Sequence, residues 1–166
     1  HTAYRRQRQM CIRDRYSALN IPAATTNSYF GASLTNYTYG DVMGGDANKG
    51  STAADQSDFT LLETFSFTTD NSYIKRKWVA VYDAVARANN VMHLAGLIKD
   101  ELSAIPGQEK DFYTEAIAQA RFMRGFYLFE GIKNFGAAIP YVSLEDYESS
   151  VNPLISNVDE SGNYIY

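Results

Sequence analysis

Residues 119–141, QARFMRGFYLFEGIKNFGAAIPY, decide the fold. At 100° per residue, a helix running through this stretch from just upstream places Ala116, Ala120, Met123, Tyr127 and Gly131 on one side. Phe122, Phe126 and Phe129 fall nearly opposite. A helix with two apolar sides predicts other helices on both, and therefore a multi-helix body. Arg124 projects from the edge of the first side, where a guanidinium needs a carboxylate or carbonyl partner. Lys133, Asn134 and Gly136 then form a C-terminal stop, with Pro140 beyond it.

Upstream, Ile74, Trp78, Val81, Tyr82, Val85, Ala88, Asn89 and Met92 step by three and four along one stripe, with Lys75, Lys77 and Arg87 projecting mainly away. This helix should end between Leu94 and Asp100, the AIPG stretch at 104–107 should turn the chain, and residues 108–111 should open the two-sided helix. Two long helices on a short polar connection form an antiparallel hairpin, with Trp78 and Tyr82 set against Ala116 and Ala120. One such hairpin is tetratricopeptide-like, although a single copy makes no solenoid.

The remaining segments read less regularly. Residues 16–39 suggest a short helix leading into irregular structure, and 40–50, GDVMGGDANKG, a glycine-rich surface loop. Ser51 or Thr52 suits the cap of a short helix carrying Phe59, Leu62 and Phe65, and Asp70 or Ser72 the cap of the tryptophan helix. A short strand is expected at Tyr141–Leu144. The fold class is thus mainly α, with helical hairpins and long irregular loops.

The chain has 166 residues and a net charge of −4, which with no basic stripe argues against nucleic acid. A single cysteine and two scattered histidines exclude an internal disulfide framework and disfavour a zinc site. No run of 18 apolar residues spans a membrane, and no secretory signal is visible. Tyrosine is abundant at 13 residues, which suits either an aromatic core or a stacking and hydrogen-bonding surface such as carbohydrate binders present. RQMCIRDR at 8–15 resembles the translation of sequencing-adapter read-through, so residues 1–15 are read as non-native and Cys11 receives no role. The competing reading is a basic N-terminal arm. The last residues, SGNYIY, stop without a terminal signal, and the chain is read as an internal fragment of a longer protein.

Two stretches fit one family. Residues 78–90 follow a W-x3-Y-x2-V-x2-A-N pattern. Residues 119–129 resemble the motif E-A-x-F-L-R-A-x-x-Y-F, with Phe135, Gly136 and Pro140 behind it. Together with the Gly-Asp-rich loop upstream, residues 40–141 resemble the SusD/RagB family of nutrient-binding outer-membrane lipoproteins. Gln119 stands where the family usually has Glu, and Gly125 where it usually has Ala. Residues 16–166 are then a partial SusD-like domain in which Trp78, Tyr82, Asn89, Arg124, Tyr127, Gly136 and Pro140 are structural motif positions.

The resemblance implies a non-catalytic protein at the cell surface, held in the outer membrane by a lipid anchor. Such proteins capture oligosaccharides and deliver them to a SusC-like TonB-dependent transporter. Cys11 follows Gln-Met and no apolar segment precedes it, so it does not fit a lipid-anchor site, and the anchor is expected outside these residues.

Glycan contacts are expected outside the helices. Pyranose rings stack on exposed aromatics while their hydroxyls bond to polar side chains nearby. Tyr37, Tyr39 and Tyr73, close in sequence to Asp41, Asp46 and Asn71, are the candidates, each tyrosine alternatively anchoring a loop. Trp78 and the phenylalanines read as core, Arg124 as a structural clamp or an anion site, and His93 as a helix-end contact. Asp41 and Asp46 offer oxygens to calcium, although their spacing does not match the helix-loop-helix pattern. A glycosidase pair drawn from Asp41, Asp46 and Glu63 lacks any cleft signal, and no nucleotide, serine-hydrolase or zinc-protease motif occurs. The alternative function is a tetratricopeptide-like scaffold that binds protein and no sugar.

Overall fold

The computed structural model describes residues 37–100 and 112–149. Among them the chain is mainly helical, with five helical segments and no strand. A π-helical turn spans Tyr37–Val42, followed by α1 (Ser57–Glu63), α2 (Ser72–Leu97), α3 (Phe112–Phe135) and α4 (Leu144–Glu148). Two compact units divide the chain, and the boundary between Ala80 and Val81 falls inside α2. None of the described helices is long and apolar enough to cross a membrane. The expected turn at 104–107 and the helix start at 108–111 lie outside the described residues, as do residues 1–36.

The first unit is built on Val42, Phe59, Leu62 and Tyr73, with Tyr37, Tyr39, Met43 and Phe67 packed around them. Residues 40–50 are therefore not wholly a surface loop, because Val42 ends the π-helical turn inside the core. Neither Ser51 nor Thr52 caps α1. Gln56 occupies that position in a left-handed conformation (φ 49°) without a side-chain cap. Phe65 lies beyond the end of α1 at φ 54° and is exposed, not on its apolar face. The cap of α2 is Asn71, whose Oδ1 accepts the Tyr73 N–H at 3.0 Å. Its Nδ2 donates to the Asp58 carbonyl at 2.8 Å, while Asp58 Oδ2 accepts the Ser72 N–H at 3.1 Å. The first turn of α2 is thus tied to the first turn of α1, and Asn71 is buried.

The buried side of α2 keeps most of the expected stripe and is wider than it. Val81, Val85, Ala88, Asn89 and Met92 are buried as expected, Tyr73, Lys77, Ala84, Val91 and Ala95 are buried beside them, and Trp78 is 37% exposed. Alanines permit close approach of a neighbour, while the large tryptophan settles on the flank. Lys77, expected to point outward, is fully buried with its ammonium 5.4 Å from the centroid of the Tyr39 ring.

In the second unit α3 runs antiparallel to the part of α2 from Val81 onward. Gly131 lies against Val81, Arg124 bonds Asn89, and Ala120 packs with Val91 and Met92. The hairpin expected from sequence is present, but its register differs, since Ala120 meets Val91 and Met92 in place of Trp78 and Tyr82. The stop at Gly136 is as expected: its φ is +82° and its N–H bonds the Ile132 carbonyl at 2.9 Å. The chain then turns back, burying Ile139 and hydrogen-bonding Tyr82 Oη to the Pro140 carbonyl at 2.8 Å. In place of the expected strand, Ser143 and Asp146 form a capping box that opens α4.

Only one side of α3 is covered. Ala120, Met123, Tyr127 and Gly131 are buried, but Phe122 is 70% and Phe129 57% exposed, so neither is the core residue its spacing suggested. At Gly131 an added Cβ would lie 2.8 Å from Ile139 Cδ1 and 3.1 Å from Val81 Cγ1. Gly131→Val should therefore overpack this crossing and cost about 1–3 kcal/mol, read as a lower urea midpoint by far-ultraviolet circular dichroism. A variant as stable as the parent would contradict the close approach.

Candidate functional site

The structure gathers the three candidate tyrosines, but as packing. Tyr73 is 4% exposed, lies 5.3 Å from Phe59 ring to ring, and donates its hydroxyl to Gln56 Oε1. Tyr37 sets its ring edge-on to Phe59 at 6.0 Å and donates to the Asn48 carbonyl at 3.2 Å. Tyr39 donates to the Tyr73 carbonyl at 2.7 Å. Burial pushes the Tyr39 hydroxyl above its ordinary range, with Tyr73 adding to the effect and Arg76 opposing it. Tyr73 therefore has no open ring face for a sugar, and Asn71 is committed to capping. Both are corrected from ligand contacts to supports.

Asp41 and Asp46 remain exposed on the loop. The main-chain oxygen of Asp41 accepts from the N–H groups of Asp46 and Ala47 at 2.8 and 3.0 Å, which fixes the loop while leaving both carboxylates outward. At Gly44 an added Cβ would lie 2.3 Å from the Gly40 carbonyl oxygen, so the turn needs glycine there. Lys49, which sequence reasoning missed, closes the loop from within. Its Nζ donates to the Thr52 carbonyl at 2.9 Å, to Thr60 Oγ1 at 2.7 Å and to the Asp55 carbonyl, and its N–H bonds Glu63 Oε1 at 3.2 Å. Glu63 thereby anchors the loop. No group of three His, Cys, Asp or Glu side chains among the described residues could hold a metal ion.

The second unit joins the two motif stretches through polar contacts. Asn89 is fully buried: its Oδ1 accepts Arg124 Nη1 at 2.9 Å and its Nδ2 donates to the Val142 carbonyl at 3.1 Å. Arg124 also lies over the Tyr141 ring, 5.4 Å from its centroid. The carbonyl partner expected for Arg124 is thus a side-chain amide on the neighbouring helix. Tyr127 is buried with its ring edge-on to Phe126 at 5.7 Å. His93 does not act on its own helix end; its Nδ1 is 2.8 Å from Glu148 Oε1 on α4 and its ring meets Tyr147 edge-on. This contact had no signal in local spacing, because its partners are 55 residues apart.

Comparison with protein-family models, with characterised proteins and with solved structures finds no match to this chain.

Replacing Asn89 strands two groups at once, the Arg124 guanidinium and the Val142 carbonyl. Asn89→Ala should lose about 2–4 kcal/mol, since a buried partner of a charged group costs its full desolvation. Asp83→Ala on the same helix removes only an exposed pair with Arg87 at 2.9 Å and should shift stability by less than about 0.5 kcal/mol. Equal losses in urea unfolding would refute the clamp.

Burial pushes the Tyr82 hydroxyl from 10.0 up to about 12. Above pH 10 the folded chain therefore keeps protons that the unfolded chain has released, so stability is intact below 10 and is lost as the pH rises toward 12. Tyr82→Phe should flatten that alkaline loss relative to the parent when urea midpoints are measured across this interval. An unchanged slope would show that Tyr82 ionises freely.

Proposed function

We propose that this chain is a SusD/RagB-type glycan-binding protein of the cell surface, non-catalytic, which captures an oligosaccharide and passes it to a SusC-like TonB-dependent transporter. The observation that supports the reading is the meeting of its two motif stretches. Tyr82 bonds the Pro140 carbonyl, and Asn89 joins Arg124 to the Val142 carbonyl. Residues that carry the resemblance thus answer one another in space, across two antiparallel helices and their return segment. Localisation in the outer membrane through a lipid anchor belongs to the same proposal.

Ligand contacts are assigned to the first unit, where Asp41 and Asp46 face outward and can accept hydrogen bonds from sugar hydroxyls. Trp78, 37% exposed, belongs to that unit and offers a stacking surface. Tyr37, Tyr39, Tyr73 and Asn71 hold the loop in shape beneath them. A protein-binding scaffold is the second reading, favoured by the open phenylalanine side of α3.

Affinity electrophoresis through gels containing a panel of neutral and acidic polysaccharides tests the proposal. At least one glycan should retard the protein, with no release of reducing ends. The double variant Asp41→Ala and Asp46→Ala should weaken that retardation about tenfold or more, while Tyr73→Phe should leave it unchanged. Migration unaffected by every glycan would overturn the sugar reading.

A further inference from the structure

The outer side of α3 is an apolar surface left open among the described residues. Phe122 and Phe129 are 70% and 57% exposed, and Ile132 is 37% exposed. Between the two phenylalanines, a Cβ added at Gly125 would meet nothing within 4 Å, so the side carries a notch flanked by rings. Soluble chains seldom leave such a surface uncovered.

Its pattern is close to two-fold. Phe122 and Phe129 are placed symmetrically about the midpoint of Gly125 and Phe126. Glu115 lies two turns before Phe122 and Lys133 one turn after Phe129, both on the same side of the helix as the rings. A parallel pairing of two such helices would set Glu115 on Glu115 and Lys133 on Lys133, like charge against like. An antiparallel pairing sets each Phe122 beside Phe129 of the other copy, lays each Phe126 ring across the opposite Gly125 notch, and brings Glu115 to within about one turn of the opposite Lys133. The charges are then complementary at both ends. Lys133 already contacts Glu130 and lies 5.2 Å from the Phe129 ring centroid, but an ammonium has three donors and can bridge further.

We propose that a second copy of this chain covers the outer side of α3, in an antiparallel two-fold pairing centred on Gly125 and Phe126. The occupant is a copy and not an unrelated helix because the same residues supply both the rings and the notch that receives them, and both members of the charge pair.

Sedimentation velocity of the whole chain, from low to high micromolar concentration, tests this. A monomer–dimer equilibrium is expected. Phe122→Asp should weaken it about a hundredfold or more, as loss of a central aromatic contact does. Gly125→Leu should weaken it about tenfold by filling the notch. Nothing lies within 4 Å of that position in one copy, so the helical circular dichroism should be unchanged and this variant decides the matter if Phe122→Asp fails to fold. Glu115→Lys should weaken association at low salt and less at high salt. A chain that stays monomeric throughout, or an association indifferent to Gly125→Leu, would overturn the proposal.

Discussion

Asn89 is the point on which the second unit depends. A side-chain amide buried on a helix must place both its oxygen and its nitrogen, and here each goes to a different segment: Arg124 on α3 and the Val142 carbonyl on the return chain. Apolar packing alone could let α3 slide along α2 by a turn at modest cost, since alanines and valines repeat along the contact. The amide removes that freedom. Arg124 bonds Asn89, and a slipped register would leave a half-buried guanidinium without that acceptor. Gly131 reinforces the choice from the other end, because only there can Ile139 and Val81 close over bare backbone.

The first unit solves a different problem. It holds an irregular loop with little regular backbone pairing, and side chains supply what a ladder would otherwise provide. Asn71 and Asp58 stitch the starts of α1 and α2 together. The Asp58 carboxyl is held below its usual 3.8, first by the Ser72 hydroxyl and then by the Ser72 N–H. Lys49 ties the loop to α1 through Thr60 Oγ1 and to its own turn through the Thr52 and Asp55 main-chain carbonyls. What these contacts achieve is a loop whose interior is fixed while Asp41 and Asp46 stay at the surface.

Several of these features were legible in the amino-acid sequence. The periodicity of 74–92, the glycine stop at 136 and the antiparallel hairpin all follow from short-range rules, whereas the π-helical turn at Tyr37–Val42 and α4 do not. The register did not follow, because apolar weight drew the pairing toward Trp78 and Tyr82, whereas α3 meets α2 at Val81, Asn89, Val91 and Met92. Lys77 was misplaced for the same reason: charge predicts exposure unless a ring such as Tyr39 is available to receive the ammonium. Asn71 looked like a loop residue facing ligand, and only the turn geometry between α1 and α2 reveals it as a cap. Contacts such as His93 with Glu148 are set by where the chain returns, which no local pattern encodes.

The abundance of tyrosine takes on a different meaning in this light. Tyr37, Tyr39 and Tyr82 each donate a hydroxyl to a main-chain carbonyl, at Asn48, Tyr73 and Pro140. Two of those acceptors lie on irregular chain, where backbone donors are scarce and an unpaired carbonyl near the core would be costly. Tyrosine suits the task because one side chain buries a ring against the core and carries a donor at its far end. Richness in tyrosine is then what a fold with short helices and long irregular connections requires to satisfy its own backbone, whether or not it binds sugar. A stacking surface has to be assigned by exposure instead of by residue type. On that criterion Trp78 qualifies where Tyr73 does not.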